Sequence, residues 1–267
     1  MRNQLRTLIA AWKETNYSQL QAADHRGFGY DRLTAQLTEA TDYTVLGGPY
    51  RGMKYFGAPR IPIIDQVPTT KLIGSFEEEL HPWIEGMIGR EFPTVIFLGG
   101  GDGYHPVGMA RRMPSTRFVV FDTLIAARQA TKSLAEQNGV KARMQLRGFC
   151  GGESFLDLDL AGSLVFSDCG GAELTLLDPT LYPALRLATI LVETHDAFDP
   201  RISARLVQKF NGTHRIDLVA ASPRNPAKYQ LPLHLSDDQV RMALDEQRKL
   251  TRDGKPQLWA LMTPYAS

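Results

Sequence analysis

Three clusters of residues have the types and spacing to do chemistry. The first is Leu98-Gly99-Gly100-Gly101-Asp102-Gly103, which follows an apolar run and precedes an amphipathic one. Glycines at a strand-to-helix turn let the backbone approach a nucleotide-like ligand closely. Their spacing is GxGxG, and Tyr104 stands where a dinucleotide fingerprint needs its third glycine, which disfavours NAD, FAD and a nicotinamide oxidoreductase. Gly103 to Gly108 has the gap of a P-loop but continues into Met109 and Ala110, so a P-loop is excluded.

The second cluster is Phe121-Asp122-Thr123, at the end of the next apolar run and 23 residues beyond Gly99. An acid about 20 residues after the first glycine accepts hydrogen bonds from ribose hydroxyls. An Asp at a strand end also caps helices, so both roles stay open. The third cluster joins Asp168 to Glu193-Thr194-His195-Asp196. An imidazole titrates near neutrality and a carboxylate can fix its tautomer, which makes His195 the candidate general base beside Glu193 and Asp168. The plainer alternative has His195 closing a strand end and Asp196 capping a helix. A divalent cation shared by Asp168, Glu193, His195 and Asp196 is conceivable, but the spacing matches no metal motif, and the reading adopted is a metal-free site. Cys169 reads as a buried small hydrophobe and His81 as a packing or surface residue. His105, followed by Pro106, reads as a first-turn helix residue before a cofactor contact.

The elements that must position these residues follow from periodicity. Strands are expected at Thr94–Leu98, Arg117–Phe121, Ala142–Leu146, Ser163–Ser167, Thr189–Glu193, His214–Ala220 and Pro256–Met262. Helices are expected at Tyr104–Met113, Leu124–Asn138, Ala172–Leu177, Pro200–Phe210 and, capped by Ser236 with Gln239, Asp237–Leu250. Such alternation predicts an α/β chain with a parallel sheet covered on both faces. Upstream, helices near Leu5–Ala22 and Tyr30–Ala40 flank a turn at HRGFGYD. Val45–Thr70, with four glycines and four prolines, reads as a long wrapping loop, and Ser75 with Glu78 as a capping box before a helix reaching Arg90. The division expected is a helical N-terminal segment and lid over 1–90 and an α/β domain over 91–267. The basic and aromatic residues Tyr50, Arg51, Lys54, Tyr55, Phe56, Arg60 and Lys71 belong to that lid.

Composition narrows the partners. The 267 residues carry 30 Lys plus Arg against 29 Asp plus Glu, which leaves no global field for nucleic acid or anionic lipid. No run of about 18 apolar residues occurs, so no membrane span is expected, and the opening residues lack a signal-type apolar stretch. Two cysteines without CxxC spacing fit a reducing, cytoplasmic compartment.

The motifs taken together resemble a known family. Gly99–Arg112 (GGGDGYHPVGMARR), Phe121-Asp122, Asn138-Gly139-Val140 and Gly148-Phe149-Cys150 look like the first three motifs of class I S-adenosylmethionine-dependent methyltransferases. Ser167–Glu173 (SDCGGAE), Leu177-Asp178-Pro179 and Ile190–Asp196 (ILVETHD) are similar to the FkbM-like branch, as are Gly48–Tyr55 (GPYRGMKY) and Lys71–Leu80 (KLIGSFEEEL) upstream. The likeness spans roughly Pro49 to Tyr229. It implies a Rossmann-like seven-stranded sheet with the last strand antiparallel, S-adenosylmethionine as cofactor, and methylation of a small-molecule hydroxyl on a sugar or secondary metabolite. Gly99, Gly101 and Gly103 would line the methionine side, Asp122 would hold the ribose, Phe149 and Cys150 would flank the adenine, and Asp168 would face the reacting methyl. Tyr104 and Thr123 complete the implied cofactor contacts, and Glu77 would close over them. The position two before the first glycine, acidic in most of the class, is Phe97, and Gly170 stands where many FkbM-like members have Glu; Asp102 could compensate by reaching the cofactor's ammonium. These departures leave a catalytically silent cofactor-binding partner as the alternative. The GGGDG loop, similar to that of aminopropyltransferases, leaves a minor second. A homodimer is one assembly open to the chain; a nucleic-acid substrate is not expected.

Overall fold

Buried on both faces, a strand inside a parallel sheet must be apolar nearly throughout; the edge runs Met144–Arg147 and His214–Ala220 are mixed, whereas the runs that lie inside the sheet satisfy this. In the computed structural model, which describes residues 27–55, 68–246, 248 and 250–265, the first of them, β1 (Thr94–Leu98), is buried at every position. β2 (Arg117–Phe121), β3 (Met144–Arg147), β4 (Leu164–Ser167) and β5 (Thr189–Glu193) join it in parallel. β6 (His214–Ala220) and β7 (Leu258–Pro264) complete a seven-stranded sheet in the order β3-β2-β1-β4-β5-β7-β6, with β7 antiparallel to both its neighbours. This is the Rossmann-like methyltransferase topology expected. The order reverses between β1 and β4, and the crevice at the carboxyl ends of those two strands is where such sheets bind ligands.

The helices are α1 (Gly27–Ala40), α2 (Pro68–Ile73), α3 (His81–Arg90), α4 (Tyr104–Arg112), α5 (Ile125–Gln137), α6 (Glu173–Leu176), α7 (Ile202–Phe210) and α8 (Asp237–Leu244). One apolar layer, with Ile84, Met87, Val107 and Phe118, covers one face of the sheet, and a second, with Leu177, Leu206 and Phe210, covers the other. α1, α2 and α8 share a third cluster through Leu33, Leu37, Ile73, Ala243 and Leu244. Among the described residues no helix is long and apolar enough to cross a membrane.

Several boundaries differ from expectation for local reasons. α1 starts at Gly27, inside the segment read as a turn. β3 starts at Met144 because Lys141–Arg143 forms a 3-10 turn, and the last strand runs from Leu258 to Pro264, two residues later than expected. The Ser236–Gln239 capping box forms with both reciprocal bonds. The one at Ser75 does not: its hydroxyl donates to the Thr70 carbonyl, while Glu78 accepts from Lys228 and Tyr229. The described part of the expected wrapping loop is core, with Tyr50, Met53 and Tyr55 each at most 1% exposed. The Tyr50 ring lies where a Cβ on Gly108 of α4 would fall, 2.4 Å from its position, so that glycine is what lets the segment dock on α4. The expected helix Leu5–Ala22, together with Phe56 and Arg60, lies outside the described residues.

Candidate active site at the carboxyl ends of β1, β4 and β5

The glycine loop leaves β1 through three left-handed turns, at Gly99 (φ 93), Gly101 (φ 54) and Gly103 (φ 92). A Cβ at Gly99 would sit 1.8 Å from the Asp168 carbonyl oxygen, and one at Gly103 2.9 Å from Thr131 Cα. Around Gly101 such a Cβ meets nothing within 4 Å, so this is the loop position that faces open space. Asp122, at the end of β2, holds backbone amides on two sides, of which the one at the entrance to α5 is the capping role read for it. Its Oδ1 accepts from the Leu124 amide at the entrance to α5, and its Oδ2 from the amides of Gly100 (3.1 Å) and Gly101 (3.0 Å). Burial holds its carboxyl above the usual range against those amides. Thr123 beside it is exposed, and so is the Phe149 ring at 49%, whereas Cys150 is buried with its thiol pushed up to about 12 by burial. Open space over Gly101, a half-buried carboxylate and an exposed aromatic ring fit an adenosine with a short charged tail.

Three expected cofactor contacts face elsewhere. Asp102 is sealed beneath the loop, 2.6 Å from both Lys71 Nζ and the Tyr55 hydroxyl, and its other oxygen accepts from the Tyr104 amide. Burial alone would raise its carboxyl, but the Lys71 ammonium and these donors hold it below the usual range. It therefore cannot reach a cofactor ammonium. The Tyr104 side chain is buried too, its hydroxyl donating to the Lys71 carbonyl. Glu77, only 2% exposed and in the left-handed region (φ 52), lies 2.6 Å from His105 Nε2 and 2.5 Å from Arg248. His105, as read, begins α4, and its Nδ1 meets the Tyr50 hydroxyl at 3.0 Å. Phe97, where an acid was the common expectation, stacks on Phe166 in the core at 4.9 Å.

Glu77 carries a pH prediction. Burial raises its carboxyl, yet Arg248 and then His105 bring it down to about 2. A folded-state value below the unfolded one contributes stability that is present above pH ~4.5 and lost as pH falls through about 2, of order 3 kcal/mol. Chemical denaturation between pH 5 and pH 2 should show this loss, and Glu77→Gln should flatten it. An unchanged acid limb in that variant would contradict the assignment.

The third cluster assembles at the ends of β4 and β5. His195, buried and left-handed (φ 46), has Nε2 3.4 Å from Asp168 and 3.2 Å from Glu193, and Nδ1 2.8 Å from Glu173. Burial opposes its charge, but Glu173, Glu193 and Asp168 outweigh burial and raise it to about 10. Three carboxylates around it bias the ring toward the imidazolium, against the expectation of a base poised near neutrality. Asp168, Glu193 and His195 bring ligand atoms within 4.8 Å of one another, close enough to share a cation. Asp196 turns away to Thr194 and the Ser203 amide in the first turn of α7, the helix-capping alternative. Cys169 is partly buried beside Ser167 and Glu173, its thiol raised by burial. Lys71 was read as a lid residue and is instead the buried partner of Asp102. Glu173, Glu246 and Arg248 were given no role from sequence; Glu173 fell inside a motif, and the spacing of Arg248 held no signal.

No family model matches the chain, and no curated protein matches it. Among solved structures it is similar to the O-methyltransferase TomG from Streptomyces achromogenes (15% identity, TM-score 0.45, 68% of this chain and 80% of that one). It is also similar to an O-methyltransferase from Bacillus cereus (11%, 0.45, 96% and 100%) and to a precorrin-6y C5,15-methyltransferase from Geobacter metallireducens (11%, 0.43, 70% and 89%). The fold assignment rests on the strand order above and not on these likenesses.

Proposed function

We propose that the protein is an S-adenosylmethionine-dependent methyltransferase of the FkbM-like branch, acting on a hydroxyl of a small molecule such as a sugar or secondary metabolite. The observation that carries this reading is one crevice at the β1/β4 switch point, with Asp122 and the open face of Gly101 on one side and Asp168, His195 and Glu193 on the other. The cofactor, when bound, supplies a sulfonium whose methyl is already activated, so the chain's own tasks are positioning and water exclusion. Asp122 accepts from the ribose hydroxyls while keeping the loop amides in place. Phe149 offers its exposed ring to the adenine. Asp168, the carboxylate of the cluster that is half exposed, accepts the proton of the acceptor hydroxyl, and the His195 imidazolium orients it.

A second reading, cofactor binding without turnover, is favoured by Phe97 and by the inward turn of Asp102, which together leave no acid from the loop beside a methionine ammonium. The same turn removes the basis for the aminopropyl reading. The deciding experiment is calorimetric titration of the ligand-free protein with S-adenosylmethionine and S-adenosylhomocysteine, repeated with Asp122→Ala. Charge-assisted hydrogen bonds of roughly 1.5–3 kcal/mol predict a loss of affinity of at least about tenfold in the variant. Wild-type protein that binds neither ligand, or a variant that binds as well as wild type, would overturn the proposal. Binding without turnover on any hydroxylated acceptor selects the second reading.

A further inference from the structure

Two buried residues that are not glycine, Glu77 and His195, hold left-handed backbone in this site, which costs about 1–3 kcal/mol each and persists only where surrounding contacts enforce it. Those contacts meet in one side chain. Arg248 places Nη1 2.5 Å from Glu193 Oε1, Nη2 2.5 Å from Glu77 Oε1 and Nε 3.1 Å from Glu246 Oε2, with its guanidinium 5.8 Å above the centre of the Phe76 ring. Glu193 offers its other oxygen to His195, and Glu77 its other oxygen to His105 at the head of the glycine loop's helix. One planar cation thus joins the methyl-acceptor cluster to the cofactor loop.

The local backbone is shaped for this. Sequence periodicity carries α8 on to Leu250, yet the helix stops at Leu244. In a helix, residues 246 and 248 would point about 200° apart, yet here both side chains reach the same partners. The early stop sends both Glu246 and Arg248 into the same network, where Glu246 also binds Arg224 and the Glu77 amide. A helix-forming sequence forced out of helix is a local conflict of the kind found at functional sites.

We infer that Arg248 is a positioning residue of the proposed transferase: it fixes Glu193 against His195 and Glu77 against His105, setting the two halves of the site relative to each other. This rests on the proposed function, but its test does not need cofactor or acceptor. The protein labelled with 15N at histidine ring nitrogens is compared with Arg248→Met and Arg248→Lys, with melting temperature as the check on folding. A guanidinium spans two carboxylates that an ammonium cannot span. The expected result is that the His195 and His105 ring signals both move in Arg248→Met, and at least one of them moves in Arg248→Lys, while the His214 signal stays. If the methionine variant does not fold, the lysine variant decides. Unchanged His195 and His105 signals in a folded variant would overturn the inference, and so would equal movement at His214, which marks a general loosening. Failure to bind S-adenosylhomocysteine in the wild type would leave these ring signals readable and count against the function alone.

Discussion

Lys71→Met should cost the folded protein about 3–5 kcal/mol, because it leaves a buried carboxylate without its counter-charge. Lys71 and Asp102 are 5% and 3% exposed at their side chains and 2.6 Å apart. The cation also lies 4.8 Å from the centre of the Phe76 ring and 5.6 Å from that of Tyr104, so methionine fills the space without supplying the charge. The pH dependence gives the sign. In the wild type Asp102 is held below its usual range, and stability is lost as pH falls through that value. Without Lys71, burial dominates and raises the carboxyl, so the variant is relieved as Asp102 takes a proton. The deficit measured by urea unfolding should therefore be largest near pH 7 and shrink toward pH 4. The double variant Lys71→Met, Asp102→Leu should recover most of it, as apolar replacements of buried pairs commonly do. A deficit that does not change with pH would mean that lost packing, and not the stranded charge, is responsible.

Gly99→Ala and Gly101→Ala should separate folding from binding. At position 99 the new methyl would overlap the Asp168 carbonyl, and φ is 93, so β1 and β4 must part where the Asp168 amide donates to Leu98. Overpacking of about 1–3 kcal/mol and left-handed strain of similar size add to about 2–6 kcal/mol. At position 101 the methyl enters open space, and only the backbone term of about 1 kcal/mol remains. That same space is where the proposed cofactor would lie. The expectation is a Gly99→Ala protein with a melting temperature lowered by many degrees, and a Gly101→Ala protein that melts near wild type but binds S-adenosylhomocysteine at least tenfold more weakly. Full affinity in Gly101→Ala would place the cofactor elsewhere.

How much of this was legible in the sequence varied with how local the cause was. β1, β2 and β5 were readable to the residue because nearly continuous apolar runs bounded by turn residues have few other ways to be buried, and β6, of mixed polarity, has the bounds expected as well. The placing of Asp122 beside the glycine loop follows from a fixed spacing within one βαβ unit, whereas its bonds to the Gly100 and Gly101 amides were not read from sequence. What escaped were contacts whose partners lie far apart along the chain. Asp102 looked like a ligand group because nothing near it in sequence shows that Lys71 and Tyr55 converge on it from an earlier segment. His195 looked neutral because the charge of Glu173, 22 positions earlier, cannot be weighed until α6 folds against β5. The helix that stops at Leu244 was overridden by tertiary ion pairs, which propensity does not see.

The span of these ion pairs bears on how the chain is made. Glu77 and Arg248 are 171 residues apart, the Glu77 amide and Glu246 169, and Lys228 and Glu78 150. During synthesis Glu77 and Glu78 leave the ribosome long before Lys228, Glu246 and Arg248. Contacts this distant close late and slowly, since loop entropy must be overcome before they contribute. The sheet core can consolidate while the crevice is still open, and the crevice becomes a finished site only when the stretch carrying Arg248 arrives.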